Sequence, residues 1–148
     1  MKITKEDIKI RFKEYNKLYF DNILPIPKFS TFIGRNSVGL CRFNKEKRYL
    51  NKISIARNVD WCEDIFKNVI LHEMIHYFLG LTYGKCYGNH KNKFKNEMLR
   101  FKNDYNIIIN VSYPMLTFIK NKKTVEKKNL LSIITQKIKI ICKYRFAH

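Results

Sequence analysis

The chain has 148 residues, of which 45% are hydrophobic and 14% aromatic. That supports one buried core, excludes a wholly disordered polymer, and is too short for two full domains. Thirty Lys and Arg against twelve Asp and Glu leave a net charge of +18, a field that attracts phosphate backbones and other anionic surfaces. No apolar run reaches the roughly 18 residues of a membrane helix and Met1–Asp7 carries no apolar leader, so a soluble, cytoplasmic protein without membrane contact is expected.

The positive excess is uneven. Residues 1–58 carry a net +9, residues 59–117 only +1, and residues 118–148 a net +8. A composition of 23 Lys, 20 Ile and 15 Asn reflects AT-rich coding, which raises Lys everywhere but does not account for a balanced middle. DNA held through the two basic flanks is therefore a candidate partner. The cysteines, Cys41, Cys62, Cys86 and Cys142, form no C-x-x-C pair. They read as reduced thiols used as small packing residues.

Thr4 before Lys5-Glu6-Asp7 predicts a helix start. Ile8, Phe12, Tyr15, Leu18 and Tyr19 follow at helical spacing, and Leu24-Pro25-Ile26-Pro27 forces an extended exit after about Asn22. Three short strands are predicted next: Phe29 to Ile33, Val38 to Phe43, and Ile53 to Ala56. Asp60 with Glu63 predicts a second helix start. That helix, with apolar residues nearly all round, continues through Leu79, and Gly80 or Gly84 supplies its exit. A loop over Thr82–Asn89 leads to a third helix from about His90 to Tyr105, with Phe94, Met98, Leu99 and Phe101 as its apolar positions. After Pro114 the chain turns polar and basic, and its last stretch is compatible with either a strand or a helix.

The segment that carries chemistry is His72-Glu73-Met74-Ile75-His76. On a helix, residues four apart share a face, so two imidazoles there can grip one metal ion. Glu73, one step round, can take a proton from a water without itself being a ligand. With 4 His and 7 Glu in the chain, the pattern arises by chance with a probability on the order of 0.005, which favours a metal site over two core histidines. A catalytic zinc takes three protein ligands and an open fourth position. Two residues compete for the third place: His90, 14 residues after His76, and Glu97, on the following helix. His90 is favoured because imidazole is the commoner zinc ligand. His148 is the last residue and lies apart. Thr82 stands six residues after His76, where astacin- and matrixin-like proteases carry a third His.

His72-Glu73-Met74-Ile75-His76, followed by His90 and Phe94 in the order His-x-x-x-Phe, resembles the SprT-like zinc metalloprotease family, which includes Spartan and the bacterial SprT proteins. Tyr15 to Pro25 is similar to the family's first helix and its Leu-Pro exit. Gly39-Leu40-Cys41 and Ile53 to Ala56 occupy the places of its strands, so the likeness covers about residues 8–110. Lys91 stands where the family often has Gly, and the zinc ribbon that follows many SprT domains is missing.

The resemblance implies an α+β, zincin-like metalloprotease domain over residues 1–116. Its parts would be an N-terminal helix, a small, mainly antiparallel sheet, a buried metal-binding helix and a following helix. Residues 117–148 would form a basic C-terminal extension without a zinc ribbon. The resemblance makes His72, His76 and His90 the zinc ligands and Glu73 the catalytic base. It implies hydrolysis of peptide bonds in a protein or peptide substrate, with DNA-associated proteins as candidate targets. A substrate strand is expected to add to the sheet edge at Ile53–Ala56, and Tyr83 or Tyr87 could face the oxyanion, though packing is their commoner role. Two alternatives stand beside this: a non-catalytic nucleic-acid-binding module with a structural zinc, and a gluzincin of another lineage using Glu97.

Overall fold

The computed structural model describes residues 1–84, 90–113, 116, 118 and 119. The extension assigned to 117–148 therefore lies, but for Phe118 and Ile119, outside the described residues, as do Cys86, Tyr87, Cys142 and His148. The elements run α1 (Lys5–Tyr19), β1 (Lys28–Phe32), β2 (Gly39–Arg42), a 3-10 turn (Arg48–Leu50), β3 (Lys52–Ala56), α2 (Glu63–Tyr83) and α3 (Asn92–Tyr105). Helices and strands are segregated along the chain, an α+β arrangement.

α1 begins where the sequence predicts. The Thr4 hydroxyl accepts the Asp7 N–H at 3.2 Å and the Asp7 carboxylate accepts the Thr4 N–H at 2.8 Å, satisfying two donors that a helix start leaves open. Ile8, Phe12 and Tyr15 are buried, whereas Leu18 is exposed. Leu18 sits off the stripe, and Tyr19, one step on, packs against the core instead. The exit turn has a fastening that the prolines do not announce. Asn16 is buried, donates from Nδ2 to the Leu24 carbonyl at 2.9 Å and accepts the Leu24 N–H at 3.1 Å.

The sheet order is β1-β3-β2. β1 runs parallel to β3, from Lys28 opposite Lys52 to Phe32 opposite Ala56, and β2 runs antiparallel to it, with Gly39 opposite Ile55 and Arg42 opposite Lys52. The expected mainly antiparallel sheet is thus mixed. β3 is the strand with the longest buried run, Ile53 to Ala56, and burial on both faces drives it to the centre, between strands of opposite direction. This also corrects the expected docking edge: β3 is paired on both sides, and among the described residues the strand with an edge beside the candidate site is β2.

α2 does not start at Asp60. The chain stays extended through Cys62, whose side chain makes no capping bond. Trp61 is buried there, and its indole N–H donates to the Ala56 carbonyl at 2.8 Å. Asp60 stays exposed and pairs with the N-terminal amine at 3.7 Å. The helix then runs through Gly80 to Tyr83. A Cβ on Gly80 would meet the Phe43 ring at 2.7 Å, so the absent side chain lets β2's exit pack on the helix. Gly84, at φ 75°, closes it. Val69 to Tyr77 is buried without a break, as the all-round apolar pattern predicts. In α3, Phe94 and Phe101 are buried, but Leu99 is exposed. Cys62 is exposed at the α2 start and Cys41 half-buried, so Cys62 is not a packing residue. No helix among the described residues is long and apolar enough to cross a membrane.

Candidate metal centre

His72 and His76, one turn apart on α2, bring their Nε2 atoms to 3.1 Å, and His90, two residues before α3, brings its Nε2 to 3.0 Å from that of His72. One nitrogen from each of the three rings lies within 4.8 Å of the others, and among the described residues no other group of three or more His, Cys, Asp or Glu side chains gathers this way. Phe94, buried in the first turn of α3, packs its ring against all three imidazoles at centroid separations of 4.9, 4.6 and 4.6 Å. Glu97 does not join them. Its carboxylate accepts from Arg100 Nε at 2.8 Å.

The donor chemistry fits a metal ion. His72 Nδ1 lies 2.7 Å from the Asn110 carbonyl, which can only accept, so Nδ1 carries the proton and Nε2 presents its lone pair. That single lone pair cannot take two N–H donors along its axis, yet two other imidazole nitrogens stand 3.0 and 3.1 Å away. Three lone pairs aimed at one small cation resolve the crowding. Nitrogens about 2.05 Å from a tetrahedral zinc are about 3.3 Å apart, close to the spacing present here. The carbonyl also fixes the ring's angle, as outer partners of metal-binding histidines do.

Burial sets the protonation. His72 is 6% exposed, and burial is the main cause that holds its imidazole down at about 4, with His90 acting in the same direction and the Asn110 hydrogen bond opposing. Burial also lowers His90. The His72 ring is therefore neutral, the form that binds metal, well below pH 7, and His90 is shifted in the same direction. In the chelated protein, His72 stays neutral while the unfolded chain takes up a proton near 6.5. Stability is then full above about pH 6.5 and falls as pH drops towards about 4, by up to about 3 kcal/mol. Thermal midpoints of chelated wild type and His72→Gln across this range check it. An equal acid loss in both would remove His72 as the cause.

Glu73 is 5% exposed and lines, with the three histidines, a cleft of about 440 Å³. β2 supplies one wall through Gly39, Leu40 and Cys41, and the segment after α3 supplies another through Val111, Ser112 and Tyr113. The Glu73 carboxylate occupies the room that a side chain at residue 39 would need. A Cβ on Gly39 would stand 2.9 Å from Glu73 Cγ and Cδ, and nearer still to Oε1. Gly39→Ala should therefore swing the carboxylate aside, slowing any reaction that depends on its position about 100-fold while metal uptake by the three histidines is kept. Metal content and turnover measured on one preparation check this. Undiminished turnover would show that the carboxylate position is not critical.

Several members of the site had no sequence signal. Asn110 acts through its backbone carbonyl, which any residue offers. Asn68 and Tyr113 lie outside the motif. Tyr113 is kept protonated by burial, with the Glu73 charge adding to it, and its hydroxyl donates to Asn68 Oδ1 at 2.8 Å. Tyr83 carries Lys93 Nζ 3.0 Å from its ring centre, at the end of α2, and does not line the cleft.

No relative among curated proteins matches the sequence. The profile of the SprT-like family matches residues 8–113, a span that contains most of α1, the sheet, the three converging histidines, Glu73 and the Asn110 carbonyl. With that match over most of its length, the chain belongs to the SprT-like family.

Proposed function

We propose that the protein is a zinc-dependent endopeptidase in which His72, His76 and His90 hold the ion and Glu73 is the general base. The observation that carries this reading is the convergence of three imidazole nitrogens beside a buried carboxylate in one open cleft. A zinc ion there supplies a Lewis acid that polarises a carbonyl and acidifies a water. Glu73 takes the proton from the attacking water and delivers it to the departing amine. β2, bonded to β3 on its inner side and lining the cleft, offers its edge to an extended substrate backbone. His72, fixed by Asn110, and Phe94, packed under the rings, keep the ligands from moving as charge develops.

A structural zinc is closed by four protein ligands. Among the described residues three such side chains converge, which favours the catalytic reading over the non-catalytic module. The engagement of Glu97 by Arg100 speaks against the gluzincin reading. The charge of residues 1–58 and 118–148 supports a DNA-associated setting for the substrates. Such binding should weaken steeply with salt, and its absence at low salt would leave only the peptidase.

The test is cleavage of casein and of the chain itself, with and without chelator and single-stranded DNA. The expected result is cleavage that chelator stops and zinc restores. Zinc binding without any cleavage would favour the non-catalytic module.

A further inference from the structure

We infer that Asn68 is a positioning residue of the metal centre, acting on His72 through the carbonyl of Asn110. Asn68 lies four residues before His72 on α2, so the two share a helix face one turn apart. Its carboxamide makes three hydrogen bonds to the segment that follows α3. Nδ2 donates to the Ile108 carbonyl at 2.6 Å, and Oδ1 accepts the Asn110 N–H at 2.9 Å and the Tyr113 hydroxyl at 2.8 Å. Both lone pairs of Oδ1 are thereby used. Next to these bonds, the Asn110 carbonyl receives the His72 Nδ1–H at 2.7 Å. The four contacts close a loop that leaves α2 at Asn68 and returns to it at His72.

The segment needs such a fastening. Residues 107–113 belong to no helix or strand, so no ladder holds their polar groups. Ile109 anchors them by burial, but an apolar contact sets no carbonyl direction. Asn68 does, gripping the backbone on both sides of Ile109 and the ring of Tyr113 beyond. The carbonyl it aims selects the His72 tautomer and the ring angle, and with them the direction of the lone pair on Nε2. Tyr113 and Val111, which the same side chain helps to place, form a wall of the cleft, so one amide couples cleft shape to ligand orientation.

The consequence for metal affinity rests on the reading of the centre given above, whereas the hold on His72 does not and can be observed without metal. In Asn68→Ala, the imidazole Nδ1–H resonance of His72 in the metal-free protein should disappear into solvent exchange, while far-UV circular dichroism stays that of wild type. Affinity for cobalt(II) should fall about 10- to 100-fold, with a changed ligand-field spectrum. Asn68→Asp keeps both acceptor roles of Oδ1 but sets its second carboxylate oxygen against the Ile108 carbonyl, so its cobalt affinity should also fall below that of wild type. Tyr113→Phe removes one bond of the three and should shift the spectrum least. These two variants carry the test if Asn68→Ala does not fold. Retention of the His72 resonance together with cobalt affinity within about twofold of wild type would overturn the assignment. If wild type itself takes up no cobalt, the metal reading fails, and the resonance alone still decides the role of Asn68.

Discussion

Glu73→Gln should abolish cleavage and leave metal binding intact. Gln matches Glu in volume, so it fills the same space against Gly39, where a larger or displaced group would collide. What it loses is the ability to take a proton. Acid–base assistance of this kind contributes about 10²- to 10⁴-fold, and in the proposed mechanism one carboxylate both accepts the water proton and returns it to the amine. The loss should therefore lie at the upper end of that range. The imidazole nitrogens do not depend on Glu73 for their convergence, since His72 is set by Asn110 and all three rings rest on Phe94. Metal content by atomic absorption should stay at wild-type level. The check is turnover on casein at matched metal occupancy. A metal-loaded variant that cleaves at the wild-type rate would take Glu73 out of the mechanism and point to a base elsewhere in the cleft.

The parts of this centre that repeat with helical period were readable from the residues. The i, i+4 pair at His72 and His76 needs only a helix to come together, and the all-round apolar pattern of α2 buried it as expected. His90 was reachable because imidazole is a rare, chemically marked side chain and few were present. The capping box at Thr4 was readable for the same reason: its chemistry is local. What resisted reading was set by tertiary contacts. β3 becomes central because its burial wins over sequence adjacency, so sheet order and the substrate edge could not be read from strand propensity. Asp60 looked like a helix cap, but burying Trp61 kept the chain extended beyond it. Leu18 and Leu99 are apolar at near-helical spacing, yet each is exposed. The Asn110 carbonyl leaves no trace in residue identity, and Asn68 became meaningful only once the segment after α3 was found against it.

His90→Ala should release the metal, whereas Glu97→Ala should not. His72 and His76 lie on one helix and remain in place without a third ligand, but two imidazoles hold a divalent ion far less firmly than three. Removing a partner that merely orients a ligand costs about 10- to 100-fold in affinity, so deleting a ligand itself should exceed about 100-fold. His90 sits two residues ahead of α3, and its ring packs on Phe94 at 4.6 Å between centroids. Its loss removes a donor and one side of the aromatic packing together. Glu97 is one α3 position whose carboxylate is already held by Arg100 at 2.8 Å, and Arg100 also donates to the Tyr19 carbonyl at 3.2 Å. Its replacement loosens the α1–α3 contact, and a partly exposed pair of this type is worth about 0–1 kcal/mol. Glu97→Ala should thus lower the thermal midpoint slightly and leave zinc affinity unchanged. Competition with a chromophoric chelator measures both variants on one scale. Zinc lost from Glu97→Ala and kept by His90→Ala would make the third ligand a carboxylate and reverse the assignment of the centre.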